Sequence, residues 1–139
     1  MSIHQGTSRY SAVALLILGL LTAVGPYTIY PICGDAMDGP CHATGHAEVL
    51  IGVSMSVLSV ASLFVANHRD RALLGLAILA LSVLSVLVVT VIIGTCDGGM
   101  MACNRTGKPG MIAVGTVAAI ASVANIVLVK SDSRRIRWE

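Results

Sequence analysis

The chain has 139 residues, of which 55% are hydrophobic and 12% charged, with a mean hydropathy of +0.85. Soluble domains carry roughly 25% charged residues, so this composition excludes an ordinary soluble fold. Nine Lys and Arg against seven Asp and Glu give a net charge of +2, too little basic character for a nucleic-acid partner.

Four apolar runs account for the missing charge, each close to the roughly twenty residues that a helix needs to cross a bilayer core. The first runs from Tyr10 to Tyr30. Arg9 before it and small residues near Ala23 and Gly25 imitate a secretory signal. The run is longer than the apolar part of such signals, so it is predicted to stay in the mature protein. Pro26 and Pro31 are expected to kink or unwind its outer end, leaving Tyr27 and Tyr30 at the membrane surface.

A polar string follows over residues 31–47 and contains CGDAMDGPCHATGH. The second run, Val49 to Ala66, ends in the turn HRDR, and the third run is Ala72 to Gly94. A second polar string over residues 95–109 contains CDGGMMACNRTGK. Pro109 suits the first turn of the fourth run, Met111 to Val129, because a helix start leaves that N–H unused. Residues 130–139 form a basic tail, read as an anchor against anionic lipid.

The two strings share a design. Cys33 matches Cys96, Met37 matches Met100, Cys41 matches Cys103, and Thr44-Gly45 matches Thr106-Gly107. The chain therefore reads as two helical hairpins, residues 10–66 and 72–129, arranged as a parallel repeat about an axis along the membrane normal. The predicted fold is all-α: a four-transmembrane-helix bundle in one transmembrane domain, under a short exoplasmic cap. Gly52, Ser56, Ser59 and Ala66 on helix 2, with Gly115, Ala119 and Ser122 on helix 4, mark the expected interior, since small residues let backbones approach. The serines Ser54, Ser56, Ser59 and Ser62 should bond back to their own helix or reach a neighbour.

Seven basic residues (Arg9, Arg69, Arg71, Lys130, Arg134, Arg135 and Arg137) flank one side, and Arg105 and Lys108 the other. That bias places both termini in the cytoplasm of a plasma (inner) membrane and both cysteine strings outside, where disulfides persist. Four cysteines allow three connectivities. Pairing within each string, Cys33 with Cys41 and Cys96 with Cys103, is favoured because each hairpin then staples itself.

Two other chemistries fit the same strings. Four spans with a cysteine pair in each of two outer loops resemble the bacterial disulfide-bond formation protein B family, which implies a thiol-disulfide oxidoreductase linked to quinone. The close CxxC spacing of that family is absent here, since seven residues separate Cys33 from Cys41. The third chemistry is copper or zinc binding: Cys33, Cys41, Cys103, Met37, Met100, Met101, His42 and His46 are soft or borderline ligands. His42 and His46 lie one helical turn apart and could face one ion if helix 2 begins early.

Glu48 is expected at the start of helix 2, at the membrane rim, and no acid, base or histidine is placed mid-membrane. That pattern argues against ion-coupled transport. With Arg105 and Lys108 the only exoplasmic Lys or Arg residues, the sequence predicts a Glu48–Arg105 ion pair tying the hairpins together, or a ligand site there.

CHATGHAE after the first run and MMACNRTGKPG before the fourth carry a fuller resemblance. The first supplies Cys41, His42, Thr44, Ala47 and Glu48, and the second supplies Met101, Cys103, Thr106 and Pro109. In these residues the chain resembles the small four-span proteins grouped as domain of unknown function 4418. The resemblance covers nearly the whole chain and implies no established activity. It does imply an auxiliary subunit beside exporter-type ABC transporters. The expected function is a non-enzymatic membrane protein whose partners are the lipid bilayer and other membrane protein subunits.

Overall fold

The computed structural model describes residues 3–29, 40–93 and 103–136. Helix α1 spans Ile3–Thr28, α2 Pro40–Phe64, α3 His68–Leu87 and α4 Lys108–Ile136. A π-helical turn, Val88–Ile92, extends α3, and a second, Cys103–Gly107, leads into α4. Four candidate membrane spans lie on these elements: Tyr10–Thr28, Ala43–Phe64, Arg69–Ile92 and Arg105–Ser131. The described residues are helical apart from short connecting stretches.

The helices form a ring-ordered bundle in which α1 packs on α2 and α4, and α3 packs on α4 and α2. Leu15, Ile51, Met55, Ile78, Val88 and Ala118 meet in its centre. Leu20, Leu50, Val57, Phe64, Leu76, Val91 and Ile120 point outward and are exposed. An apolar exterior of this extent is what lipid covers, so the fold is that of a multi-pass membrane protein.

Backbone contact is closest between α1 and α2. A Cβ added to Gly52 would stand 2.4 Å from the Ala23 nitrogen and 2.7 Å from the Gly19 carbonyl oxygen. Both neighbours are backbone, so the helices touch along their main chains. Gly115, on α4, is less constrained, for its added Cβ would meet the Val86 Cγ2 at 2.8 Å and the Ser85 Oγ at 3.3 Å. Side-chain atoms can turn aside. Gly115→Ala is therefore expected to lower the unfolding midpoint in detergent less than Gly52→Ala does.

Five buried serine hydroxyls are spent locally. Ser56, Ser59, Ser82 and Ser122 each donate to the carbonyl four residues back, at 2.8 to 2.9 Å, and Ser62 donates to the Ser59 carbonyl. The back-bonding expected of Ser54, Ser56, Ser59 and Ser62 is thus present. Such bonds let a hydroxyl lie inside an apolar bundle without an orphaned donor. Of the residues expected inside, Ala66 is exposed and Ala119 only half-buried, whereas Gly52, Ser56, Ser59, Gly115 and Ser122 are buried.

Buried positions recur at a spacing of 63. Ala12 and Gly75, Leu15 and Ile78, Gly19 and Ser82, and Thr22 and Ser85 are buried in both members. So are Glu48 and Met111, Gly52 and Gly115, Ser59 and Ser122, and Ser62 and Asn125. The cysteine strings instead match at 62 from Cys41 onward. The two registers meet at the π turn Cys103–Gly107, a geometry that accommodates one extra residue in a helix. Helical faces downstream then stay aligned.

The ends of the elements follow their sequence. Asn67 caps α3 by accepting from the Arg69 N–H at 3.4 Å, and its own amide donates to Asp70 at 3.1 Å. Arg71 donates to the Val65 carbonyl at 2.9 Å, holding the turn between α2 and α3. Pro26 lies inside α1, which continues to Thr28 rather than unwinding there. Pro31 and Tyr30 lie outside the described residues. Pro109 is the second residue of α4, where a proline costs the helix little.

Candidate functional site

The largest departure from expectation is the start of the second helix. The sequence placed it at Val49, but α2 begins at Pro40, nine residues earlier. Proline at a helix start is preset in φ and lacks a hydrogen the helix cannot use there. Residues 40–47 are too polar to register as a membrane run, yet nothing in CHATGHA forbids a helix. Glu48 accordingly lies two turns inside α2 and within the span Ala43–Phe64, not at its mouth.

Its carboxylate is 1% exposed. Both carboxyl oxygens lie within hydrogen-bond distance of one group, the Ser85 hydroxyl of α3, at 3.0 and 2.8 Å. Ser85 is itself 1% exposed, and it is the buried serine that turns away from its own helix. One turn before Glu48 on α2 stands Thr44, also 1% exposed. The π turn Val88–Ile92 begins three residues beyond Ser85 and packs on α2, with Val88 and Val89 buried. Met111 and Val89 close a small apolar cluster at the start of α4.

Among the described residues the site is therefore an acid buried between α2 and α3 with the Ser85 hydroxyl against it. Chemically it can hold a proton or positive charge. An ionised carboxylate is an acceptor with about four lone-pair sites, and buried charge without compensation is strongly unfavourable.

Arg105 is exposed, in the π turn before α4, and Lys108 is half-buried at the first position of α4. Among the described residues the hydrogen bonds to Glu48 come from Ser85 and not from Arg105, so the link between α2 and the second half of the chain runs through a hydroxyl. Sequence reasoning missed Ser85, which is one polar residue in an apolar run.

His46 is exposed on α2, and His42 shares that helix one turn earlier, its side chain outside the described residues. The early start of α2 meets the geometric condition for both histidines to share a face. Among the described residues no group of three His, Cys, Asp or Glu side chains converges on one point. Cys33, Met37, Cys96, Met100 and Met101 lie outside the described residues, as do the side chains of Cys41 and Cys103. The disulfide pairing therefore stays a proposal.

A second polar contact stands at the opposite end of the bundle. Ser11 of α1 donates to the Asn125 Oδ1 of α4 at 2.7 Å, and Asn125 is 2% exposed. Interhelical hydrogen bonds in membranes average about 0.6 kcal/mol and reach about 1.7. Asn125→Ala is expected to cost an amount in that range. A double-mutant cycle with Ser11→Ala in bicelles checks it, because non-zero coupling is required if the contact carries the cost.

No curated protein and no solved structure matches the chain. A family profile does, over residues 15–128, from the middle of α1 to the last turns of α4 and including Glu48 and Ser85. By that match the chain belongs to the family described as domain of unknown function (DUF4418).

Proposed function

We propose that this protein is a non-enzymatic membrane subunit, two duplicated hairpins under a disulfide-stapled exoplasmic cap, that assembles with a partner through the outer face of α4. The observation that carries this reading is an apolar groove of about 390 Å³ on that face, lined by Ala119, Ile120, Val123 and Ala124. Small residues on an exposed helical face let a second helix come close, and close packing drives association where lipid supplies no hydrophobic force. The interior supports the same reading, for its back-bonded serines leave packing surfaces rather than a substrate path. An exporter-type ABC transporter is the partner that the resemblance implies. The recurrence of buried positions at a spacing of 63 supports the duplication. The Lys and Arg distribution supports cytoplasmic termini and exoplasmic cysteines.

Site-specific photocrosslinking in native membranes tests the interface. A crosslinker at Ile120 should give a discrete adduct with another membrane protein, and one at Val57, on the exposed face of α2, should label lipid alone. Lipid adducts at both positions would sink the proposal.

Zinc or copper binding is the second reading, favoured by the start of α2 at Pro40. Titration of the purified protein with each metal should then show a stoichiometric site lost in His42→Ala and His46→Ala. Titrating the four cysteines against a glutathione series separates structural bridges from the quinone-linked oxidase: bridges that resist strong reduction exclude the oxidase.

A further inference from the structure

We propose that Glu48 is a proton-binding site inside the bundle, where its carboxyl group is held as a neutral acid in a reciprocal pair with Ser85. Burial within a membrane span and a single facing hydroxyl lead there. A serine hydroxyl has one proton, which it donates to one oxygen or shares between two in a three-centre bond. Both Glu48 oxygens lie within hydrogen-bond distance of the Ser85 Oγ, at 3.0 and 2.8 Å. In a buried site a protonated carboxyl group fits both distances with a second proton of its own. Ser85 then donates to the carbonyl oxygen, and the acid's O–H donates to the Ser85 Oγ. The ring closes with every proton used.

The surroundings favour the neutral form. From Ala72 to Ile92, α3 and its π turn carry no titratable side chain. Tyr27 on the outer end of α1 is exposed, as is His46 on α2. Arg105 is exposed in the π turn before α4, and half-buried Lys108 makes no described bond to Glu48. Among the described residues the carboxyl group of Glu48, a residue 1% exposed, thus meets the Ser85 hydroxyl, a setting that penalises charge.

The fold itself does not require an acid at this position. At the spacing of 63, the counterpart of Glu48 is Met111, also buried, and the counterpart of Ser85 is Thr22. Thr22 bonds back to the Leu18 carbonyl at 2.9 Å. One of two equivalent positions thus packs as a hydrocarbon, and the other holds an ionisable group in a membrane span. Ionisable residues so placed mark sites of function more often than of packing.

Infrared spectroscopy of the full chain in lipid nanodiscs at neutral pH provides the test. The chain contains two glutamates, Glu48 and Glu139, so carbon-13 glutamate labelling isolates their carboxyl bands. The expected result is a protonated C=O stretch that shifts on labelling and vanishes in E48Q. In S85A it should move to higher frequency as its hydrogen bond is lost. E48Q, which keeps a donor beside Ser85, should melt close to the wild type, whereas E48A should melt well below it. The absence of a label-sensitive protonated band in the wild type would overturn the proposal even if every variant failed to fold. So would an E48Q variant as unstable as E48A, for that would mean the charged form is the one the bundle needs.

Discussion

Gly52→Val should unfold at markedly lower denaturant or temperature than any other single substitution on the face joining α1 and α2. A Cβ at this position would stand 2.4 Å from the Ala23 nitrogen, 2.7 Å from the Gly19 carbonyl oxygen and 2.8 Å from the Ala23 Cα. All three atoms are backbone, so no rotamer change relieves the clash and the helices must separate. Separation costs the dispersion contacts along the whole crossing, and in lipid no hydrophobic gain offsets that loss. Overpacking in cores typically costs about 1–3 kcal/mol, and the lack of a yielding side chain puts Gly52→Val at or above the upper end. Gly19→Ala shares the crossing, but its closest contact is a side-chain atom, the Ser56 Oγ at 2.7 Å, with backbone atoms farther off at 3.0 and 3.2 Å. Unfolding in bicelles, followed by steric trapping, ranks the variants. A Gly52→Val protein as stable as wild type would mean that α1 and α2 do not meet along their backbones.

The elements that span the membrane were legible because their signal is simple. Twenty uncharged apolar residues have few alternatives in a chain this size, and each run contains most of a helix found in the fold. Gly52 and Gly115 were legible as contact points for the same reason, since a glycine in an apolar helix has little use except close approach. What hydropathy could not show was a helix extending into polar sequence. At Pro40 the deciding terms are backbone ones, a preset φ and an unneeded N–H, and they leave no trace in an apolar window. That one boundary moved Glu48 from the rim to the interior, and with it the question of its partner. A rim carboxylate looks outward for Arg105, while an interior one takes whatever the facing helix offers. Ser85 was not legible, because in sequence it is one more small residue on α3, like Ser82. Only the position of α2 against α3 separates the serine that bonds back from the one that bonds across. The π turns were likewise hidden, although the one-residue slip between the cysteine strings was a trace of one of them.

The double substitution Glu48→Met with Ser85→Thr should leave the bundle as stable as the wild type or more so, while Ser85→Ala alone should weaken it. Ser85→Ala removes the described donor to a side chain that is 1% exposed. A buried polar group left without its partner costs about 1–3 kcal/mol. The double variant removes both halves of the pair and places there the residues found 63 positions away, Met111 and Thr22, both buried. Methionine is close to glutamate in length and adapts to irregular space. A threonine at position 85 can bond back to the Leu81 carbonyl, as Thr22 does to that of Leu18. Replacing a buried polar pair by well-packed apolar groups is often neutral, or stabilising by about 1–4 kcal/mol. Equilibrium unfolding of the three proteins in the same bicelles decides the matter. If the double variant is less stable than Ser85→Ala, the Glu48–Ser85 pair holds the hairpins together and the fold depends on it. If it is as stable as wild type, the acid was never needed for folding, and its place inside the membrane belongs to what the protein does.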